Sequence, residues 1–144
     1  MKVSNLVGQK RVVTISPKSK VSELVTLLCD YKIGAVVVSN SGLDIQGIVS
    51  ERDIVRGLNS NNNLDKLSVS DLMTKDVQVC KPNDTVASVM QTMTNGRFRH
   101  CPVVDDEGKL ISIVSIGDIV KAHISEIAEE RDALNSYIHN YDFS

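Results

Sequence analysis

The chain has 144 residues, of which 42% are hydrophobic and 24% are charged. This composition is typical of a globular protein and argues against bulk disorder. The formal net charge of −2 excludes the basic field that steers proteins onto nucleic acid. No apolar run approaches the roughly 18 residues of a membrane span, and residues 1–11 do not resemble a signal peptide. We therefore expect a cytoplasmic chain with no nucleic-acid or membrane partner.

A repeat organises most of the chain. Residues 12–17 resemble residues 77–82, and their prolines, Pro17 and Pro82, are 65 residues apart. The same shift carries residues 48–55 onto residues 113–120. A unit of about 60 residues rarely buries enough apolar surface alone, so the two copies should pack on each other. We predict a first domain over 1–64, a second over 65–124 and a helical tail over 125–144.

Each copy reads as strand, helix, strand, strand, helix, which predicts an α/β (α+β) fold of two β-α-β-β-α units. The first strand ends at the proline, and the next helix starts near Val21 or Val86, with Ser19 or Asp84 as a candidate cap. Two valine-rich strands joined by a turn follow, and then a second helix. In the first copy we predict the second strand over 35–39, the turn over 40–42, the third strand over 46–50 and a helix from Glu51. In the second copy the same elements are predicted over 101–105, 105–108 and 110–115, with the helix from Ile116. Residues 59–63 form a polar spacer.

The helical pattern continues beyond the second copy. Apolar residues follow one another at alternating spacings of four and three from Val120 to Tyr141, with Arg131 as the polar member. This heptad seam predicts either a helix packed on its own domain or self-association through the tail.

The three cysteines, Cys29, Cys80 and Cys101, are odd in number and lack CxxC spacing. They fit reduced thiols of a cytosolic protein, and each is expected to act as a small buried hydrophobe.

Two Ser-x-x-Asp motifs, Ser50 with Asp53 and Ser115 with Asp118, stand where a strand ends and a helix begins. Free N–H groups and the positive end of a helix dipole suit a phosphate, and an ionised carboxylate can accept both hydroxyls of a ribose. The alternative is a capping box that satisfies the helix itself. Each motif alone favours the cap, but a capping box prefers the longer Glu or Gln and Asp should reach back less well, so ligand binding stays open.

Basic residues precede one strand of the second copy. Arg97, Arg99 and His100 are suited to clamping a phosphate, whereas the matching stretch of the first copy, 32–35, is almost uncharged. The alternative is a solvated strand start whose arginine stems lie on apolar surface. Arg52, in the first turn of its helix, is expected to face the other cleft.

The duplicated set, in order, resembles the tandem cystathionine-β-synthase (CBS) domain pair. Its segments are residues 33–38, 47–53, 97–105 and 113–118, together with the two segments that end at Pro17 and Pro82. The resemblance covers nearly all of the chain except the tail. It implies a pseudo-twofold pair with two clefts that hold adenosine-containing ligands (AMP first, with ADP, ATP, NAD or S-adenosylmethionine as alternatives). It further implies a homodimer that regulates a partner protein without catalysis.

The resemblance also assigns residues to the clefts. Positions matching Arg99 and His100 contact ligand phosphates, and Thr14, Ile15, Val79 and Cys80 match the positions that enclose adenine, although plain sheet core is an equal alternative. We expect Asp118, Arg99 and His100 to share the better nucleotide site and Asp53 to serve the other.

Two rival functions are weighed against this one. His100 and Cys101 cannot form a catalytic pair because neighbouring strand residues point to opposite faces. A ligand-independent dimerisation or scaffold module for a partner protein stays open.

Overall fold

The computed structural model describes residues 1–8, 12–60 and 63–142. The elements of the first copy are a 3-10 turn Val3–Asn5, strand β1 (Thr14–Ile15), helix α1 (Val21–Tyr31), strands β2 (Ala35–Val38) and β3 (Gly47–Ser50), and helix α2 (Glu51–Ser60). The second copy follows with a 3-10 turn Leu64–Lys66, helices α3 (Val69–Leu72) and α4 (Val86–Gly96), strands β4 (His100–Val104) and β5 (Leu110–Ser115), and helix α5 (Ile116–Asp142). The predicted mixed fold of two repeats and a C-terminal helix is confirmed.

Each copy builds a small sheet from its valine-rich segments. In the first copy, β1 runs parallel to β2, and β2 pairs antiparallel with β3. In the second copy, β4 pairs antiparallel with β5, and the first strand is reduced to one parallel bridge between Cys80 and Val103. The turns that join the paired strands place Gly42 and Gly108 at φ +89° and +80°, a conformation that glycine adopts without steric cost.

The helices bury one face against these sheets. Val21, Leu24 and Leu28 of α1 are buried, whereas Val25 in the same apolar pattern is 40% exposed and faces outward. The predicted helix starts are confirmed, but the predicted caps are wrong. Lys20 precedes α1 without a side-chain cap, and Thr85 caps α4 by accepting a hydrogen bond from Ser88 N at 3.1 Å.

Asp84 misses the cap of α4 because it closes the preceding turn, where its Oδ2 accepts from Lys81 N at 2.8 Å. Ser19 takes part in the matching turn of the first copy through its backbone N–H, which donates to Ser16 O. Both residues therefore lie one position too early to cap a helix.

The two copies exchange their leading segments. Val3 lies in the core of the second copy, where its N–H donates to Asp84 O at 2.8 Å. Val69 of α3 lies in the core of the first copy, where its N–H donates to Ser19 O at 2.9 Å. Each hydrophobic core thus includes a buried valine from the other half of the chain. The expectation that the copies pack on each other is confirmed, while the division at residues 64 and 124 stays a prediction.

The ends of the second helices differ between the copies. Helix α2 includes Asn59 and Ser60, so the polar spacer is shorter than predicted; Asn61 and Asn62 lie outside the described residues. Helix α5 runs without a break from the body of the second copy into the tail. Within the described ranges, no helix is both long and apolar enough to cross a membrane.

Candidate binding cleft

A cavity of about 730 Å³ lies along the seam between the two copies. This volume is within the range of sites that hold small ligands. The first copy contributes residues at the starts of β2 and α2, including Ala35, Ser50 and Asp53. The second copy contributes residues 74–78 of the connecting segment and residues 95–100 at the end of α4 and the start of β4.

Of the three carboxylates that line this cavity, Glu51, Asp53 and Asp76, the one from the predicted Ser-x-x-Asp motifs is Asp53. Its side chain is only 11% exposed, and its Oδ2 accepts from Ser50 N at 2.8 Å and from Ser50 Oγ at 3.1 Å. The expectation that an aspartate reaches back poorly is wrong, because these bonds satisfy the N–H and hydroxyl of the helix-capping residue. Oδ1 lies 3.9 Å from Arg56 Nη1, so one carboxylate oxygen lies outside the cap.

Basic residues from both copies line the cavity. Arg97, Arg99 and His100 come from the second copy, and Arg52 and Arg56 come from α2. Arg52 is predicted to face the other cleft, but it lines this cavity together with the second copy's basic residues. The concentration of guanidinium groups suits a phosphorylated ligand, since each group offers paired donors.

His100 is half-buried at the centre of this arrangement. Burial is the main cause that lowers its pKa, and the Arg99 guanidinium lowers it further, while Glu51 and Asp118 oppose both effects. Gly34 of the first copy lies alongside, because a Cβ at this position would come within 3.9 Å of His100 Cε1. A methyl group at Gly34 would make only ordinary van der Waals contacts with Glu51 and His100, so His100 fits beside this position without requiring glycine.

Ser115 and Asp118 do not line this cavity. Asp118 is exposed, and its Oδ2 accepts from Ser115 Oγ at 2.9 Å and from Ser115 N at 3.2 Å. Asp118 nevertheless acts on the pKa of His100, and Ser115 pairs with His100 along β4 and β5. The grouping of Asp118 with Arg99 and His100 stays a prediction.

The residues expected to enclose an adenine lie elsewhere. Ile15 and Cys80 are buried in the two cores, Thr14 pairs with Val37 in the sheet, and Val79 is 46% exposed outside the cavity. The apolar walls come instead from side chains that the sequence analysis did not select: Ala35, Ile48, Val77 and Phe98. The alternation of the chain could have indicated Val77, because it lies three residues before the buried Cys80 and so on the opposite face.

The cysteines divide into two groups. Cys29 is exposed, which makes its predicted burial wrong, whereas Cys80 and Cys101 are buried as predicted. A hydrogen bond with the Cys101 thiol, together with burial, raises the pKa of the Cys80 thiol. Cys101 points into the core and His100 lines the cavity, so the two neighbours do face opposite sides of β4. Among the described residues, no three His, Cys, Asp or Glu side chains are arranged to hold a metal ion.

The chain resembles known proteins over both copies. A family model for the CBS domain matches residues 3–60 and 69–125. The mitochondrial CBS domain-containing protein CBSX3 of Arabidopsis thaliana is 37% identical over 123 residues, which cover 82% of this chain and only 59% of that protein's length. The crystal structure of a CBS-domain containing protein from Agrobacterium tumefaciens is 41% identical with a TM-score of 0.79, and the match covers 85% of this chain and 99% of that one.

A further solved structure was determined with a bound ligand. CBSX2 of Arabidopsis thaliana in complex with AMP is 25% identical to this chain with a TM-score of 0.71, covering 86% of this chain and 96% of that one. The duplicated order of elements, the exchanged leading segments and these matches agree. The chain belongs to the CBS domain family.

Proposed function

We propose that this chain is a regulatory module that binds an adenosine-containing ligand between its two CBS domains and performs no catalysis. The observation that carries the proposal is the seam cavity, whose lining includes Asp53 of one copy and Arg97, Arg99 and His100 of the other. Support comes from the AMP complex of the related CBSX2. AMP is the first candidate, and ADP, ATP and NAD are alternatives with the same adenosine group.

The ligand's groups match the chemistry of the cavity. The uncapped Oδ1 of Asp53 accepts a ribose hydroxyl, and Arg99 and His100 bind the phosphate, with Arg97 and Arg52 as further donors. The Ser50 hydroxyl already donates to Asp53 Oδ2. Val77 and Ile48 supply apolar surface for the adenine. This assignment moves the adenine walls away from Thr14, Ile15, Val79 and Cys80.

A second, weaker site stands at the pseudo-equivalent position. Ser115 and Asp118 occupy the helix start that matches Ser50 and Asp53, but the residues that match Arg99 and His100 are Gly34 and Ala35. This site therefore lacks the guanidinium and imidazole groups and should bind phosphates less tightly. Residues 9–11, which correspond to the lining segment 74–76, lie outside the described residues.

The regulated partner is a protein that responds to the geometry of the pair. A ligand that contacts both copies favours one arrangement of the halves only if it binds that arrangement more tightly. The chain acts as a cytoplasmic homodimer in this proposal, although one relative is mitochondrial. Exposed apolar side chains on the helices, such as Val25, Val55 and Leu58, support association.

A thermal-unfolding panel tests the proposal. The full chain is melted alone and with AMP, ADP, ATP, NAD or GMP, the last as a control with the same phosphate and another base. A ligand at 100 times its dissociation constant adds about 2.7 kcal/mol and raises the melting temperature by several degrees. At least one adenosine ligand should give this shift, and GMP should give less.

The same panel separates the alternative function. The caps that engage one oxygen of Asp53 and of Asp118 favour a ligand-independent dimerisation module, because each motif already has a structural role. If no adenosine ligand shifts the melting temperature while the chain remains dimeric, the scaffold function replaces the proposed one. Steady turnover of any of these nucleotides would overturn the non-catalytic assignment.

A further inference from the structure

The projecting end of α5 carries apolar side chains that the rest of the described chain leaves uncovered. The buried side chains of this helix, Ile119 and Ala122, lie in its first two turns. Beyond them, every residue from 131 to 139 is exposed. Four large aliphatic side chains of the projecting end are exposed: Ile124 (62%), Ile127 (51%), Leu134 (58%) and Ile138 (48%).

This part of α5 is an addition to the shared fold. The family model ends at residue 125, and 85% of this chain is enough to cover 99% of the Agrobacterium structure. An isolated helix of this length is only marginally stable in water without tertiary packing. An apolar seam repeated at spacings of three and four along such a helix indicates that another helix packs against it.

We propose that residues 124–141 of α5 pair antiparallel with the same segment of a second copy of this chain. The charge pattern favours this partner and this direction. Residues 129–132 contain three carboxylates, at Glu129, Glu130 and Asp132, and one guanidinium, at Arg131, whereas residues 133–138 contain no charged side chain. Glu126 is already paired with the N-terminal amine of Met1.

In a parallel pair, the acidic segment of one chain would lie beside the acidic segment of the second chain, and the two Arg131 side chains would lie beside each other. Like charges at such a contact repel each other most strongly where water is excluded. In an antiparallel pair centred between residues 132 and 133, the charged segment of each helix lies opposite the uncharged segment of the other. Arg131 then faces Leu134 of the second copy, and Ile127 faces Ile138.

The apolar area is sufficient for a weak, specific dimer. Four aliphatic side chains per chain each expose about half of their surface. With their neighbours on the seam, two copies would bury on the order of 1,000 Å², near the lower limit for a biological interface. The inference assigns an interface to the proposed homodimer and is independent of nucleotide binding.

Sedimentation equilibrium of the full chain tests the pairing. We expect the wild type to be dimeric at micromolar concentrations, and Ile127→Asp with Leu134→Asp to weaken association at least 100-fold. Leu43→Asp is the matched control, because Leu43 is a 51% exposed aliphatic side chain in the turn between β2 and β3, outside the helices. Its dimer should persist.

Three results would overturn the proposal: a monomeric wild type, an unchanged dimer in the double variant, or dissociation caused by Leu43→Asp. Circular dichroism checks that each variant keeps its helices, and AMP titration of the same samples reports the cleft separately. Loss of the dimer with unchanged AMP affinity separates this inference from the proposed function.

Spin-label distances test the direction of pairing. In a Cys29→Ser background, a label at Ser125→Cys should lie about 25 Å from the partner's label, since 1.5 Å per residue separates the two sites along antiparallel helices. A parallel pair would bring the labels to within about 15 Å, and that distance would contradict the antiparallel arrangement.

Discussion

His100 lies where the charges of both copies converge. Glu51 from the first copy and Asp118 and Arg99 from the second all act on its imidazole. Burial and Arg99 hold the pKa of His100 below its ordinary value, so the ring is neutral in the free protein near pH 7. A phosphate bound beside it adds negative charge and raises that pKa, so binding is accompanied by uptake of a proton.

The affinity for AMP should therefore increase as the pH falls from 8 to 6, because protonated His100 attracts the phosphate more strongly than neutral His100 does. The gain is lost above the pKa that His100 has in the complex and is fully present only below the lower pKa that it has in the free protein. Titration calorimetry at each pH measures the affinity and the protons taken up. His100→Gln is the matched variant, because it removes the titration while the ligand's own phosphate still titrates. An identical pH dependence in both proteins would show that His100 does not contact the phosphate.

The sequence could indicate most of the functional residue types at the cleft, but not which residues of the two copies lie together there. Arg97, Arg99, His100 and the two Ser-x-x-Asp motifs are visible as residue types at helix and strand starts. The repeat makes Asp53 and Asp118 equivalent, so periodicity cannot decide which of them the basic residues face. That choice depends on how the two copies pack along the seam, where Gly34 of the first copy lies beside His100 of the second.

At the scale of elements, α1 and α4 end in the same unusual way. Lys32 and Arg97, which match in the repeat, both adopt the left-handed conformation, with φ of 54° and 56°. This conformation costs a residue with a Cβ about 1–2 kcal/mol, whereas glycine is the preferred residue there. Arg97 nevertheless occupies the position that borders the cavity.

Replacement by glycine should separate stability from binding. Arg97→Gly and Lys32→Gly should each raise the free energy of unfolding by about 0.5–1 kcal/mol, because the steric penalty is removed and glycine's unfolded-state entropy offsets part of the gain. Only Arg97→Gly should weaken AMP binding, by several-fold. Urea unfolding and titration calorimetry measure the two effects. Equal AMP affinities in both variants would remove Arg97 from the proposed site.

The starts of the elements were predictable, but their ends and caps were less so. Alternating and helical apolar spacing fixed the starts of α2 and α5 because a repeat provides two examples of each pattern. The cap at Thr85 was missed because Asp84 and Thr85 are both good capping residues, and only the turn geometry assigns them. The continuous helix α5 followed from its heptad spacing; the side chain of Tyr141 lies outside the described residues.

At the scale of the whole molecule, the exchanged leading segments tie the two copies together. Val3 and Val69 are fully buried in the core of the other copy. The size of each copy predicted mutual packing, but the exchange could not be predicted, because a repeat shows which segments are equivalent and not which core receives them. A ligand in the seam therefore contacts two halves that cannot separate without opening both cores.

The central claim is that the seam cavity binds an adenosine ligand through Asp53 of the first copy and the basic residues of the second. Titration calorimetry with AMP on Asp53→Asn and Asp118→Asn tests it most directly, since both changes keep a side-chain acceptor for the helix cap and remove one carboxylate. Loss of a charged hydrogen bond corresponds to about 1.5–3 kcal/mol, so Asp53→Asn should weaken binding by about 10- to 100-fold. Asp118→Asn should leave the tighter site nearly unchanged, and the reverse pattern, or equal affinity in both variants, would contradict the account.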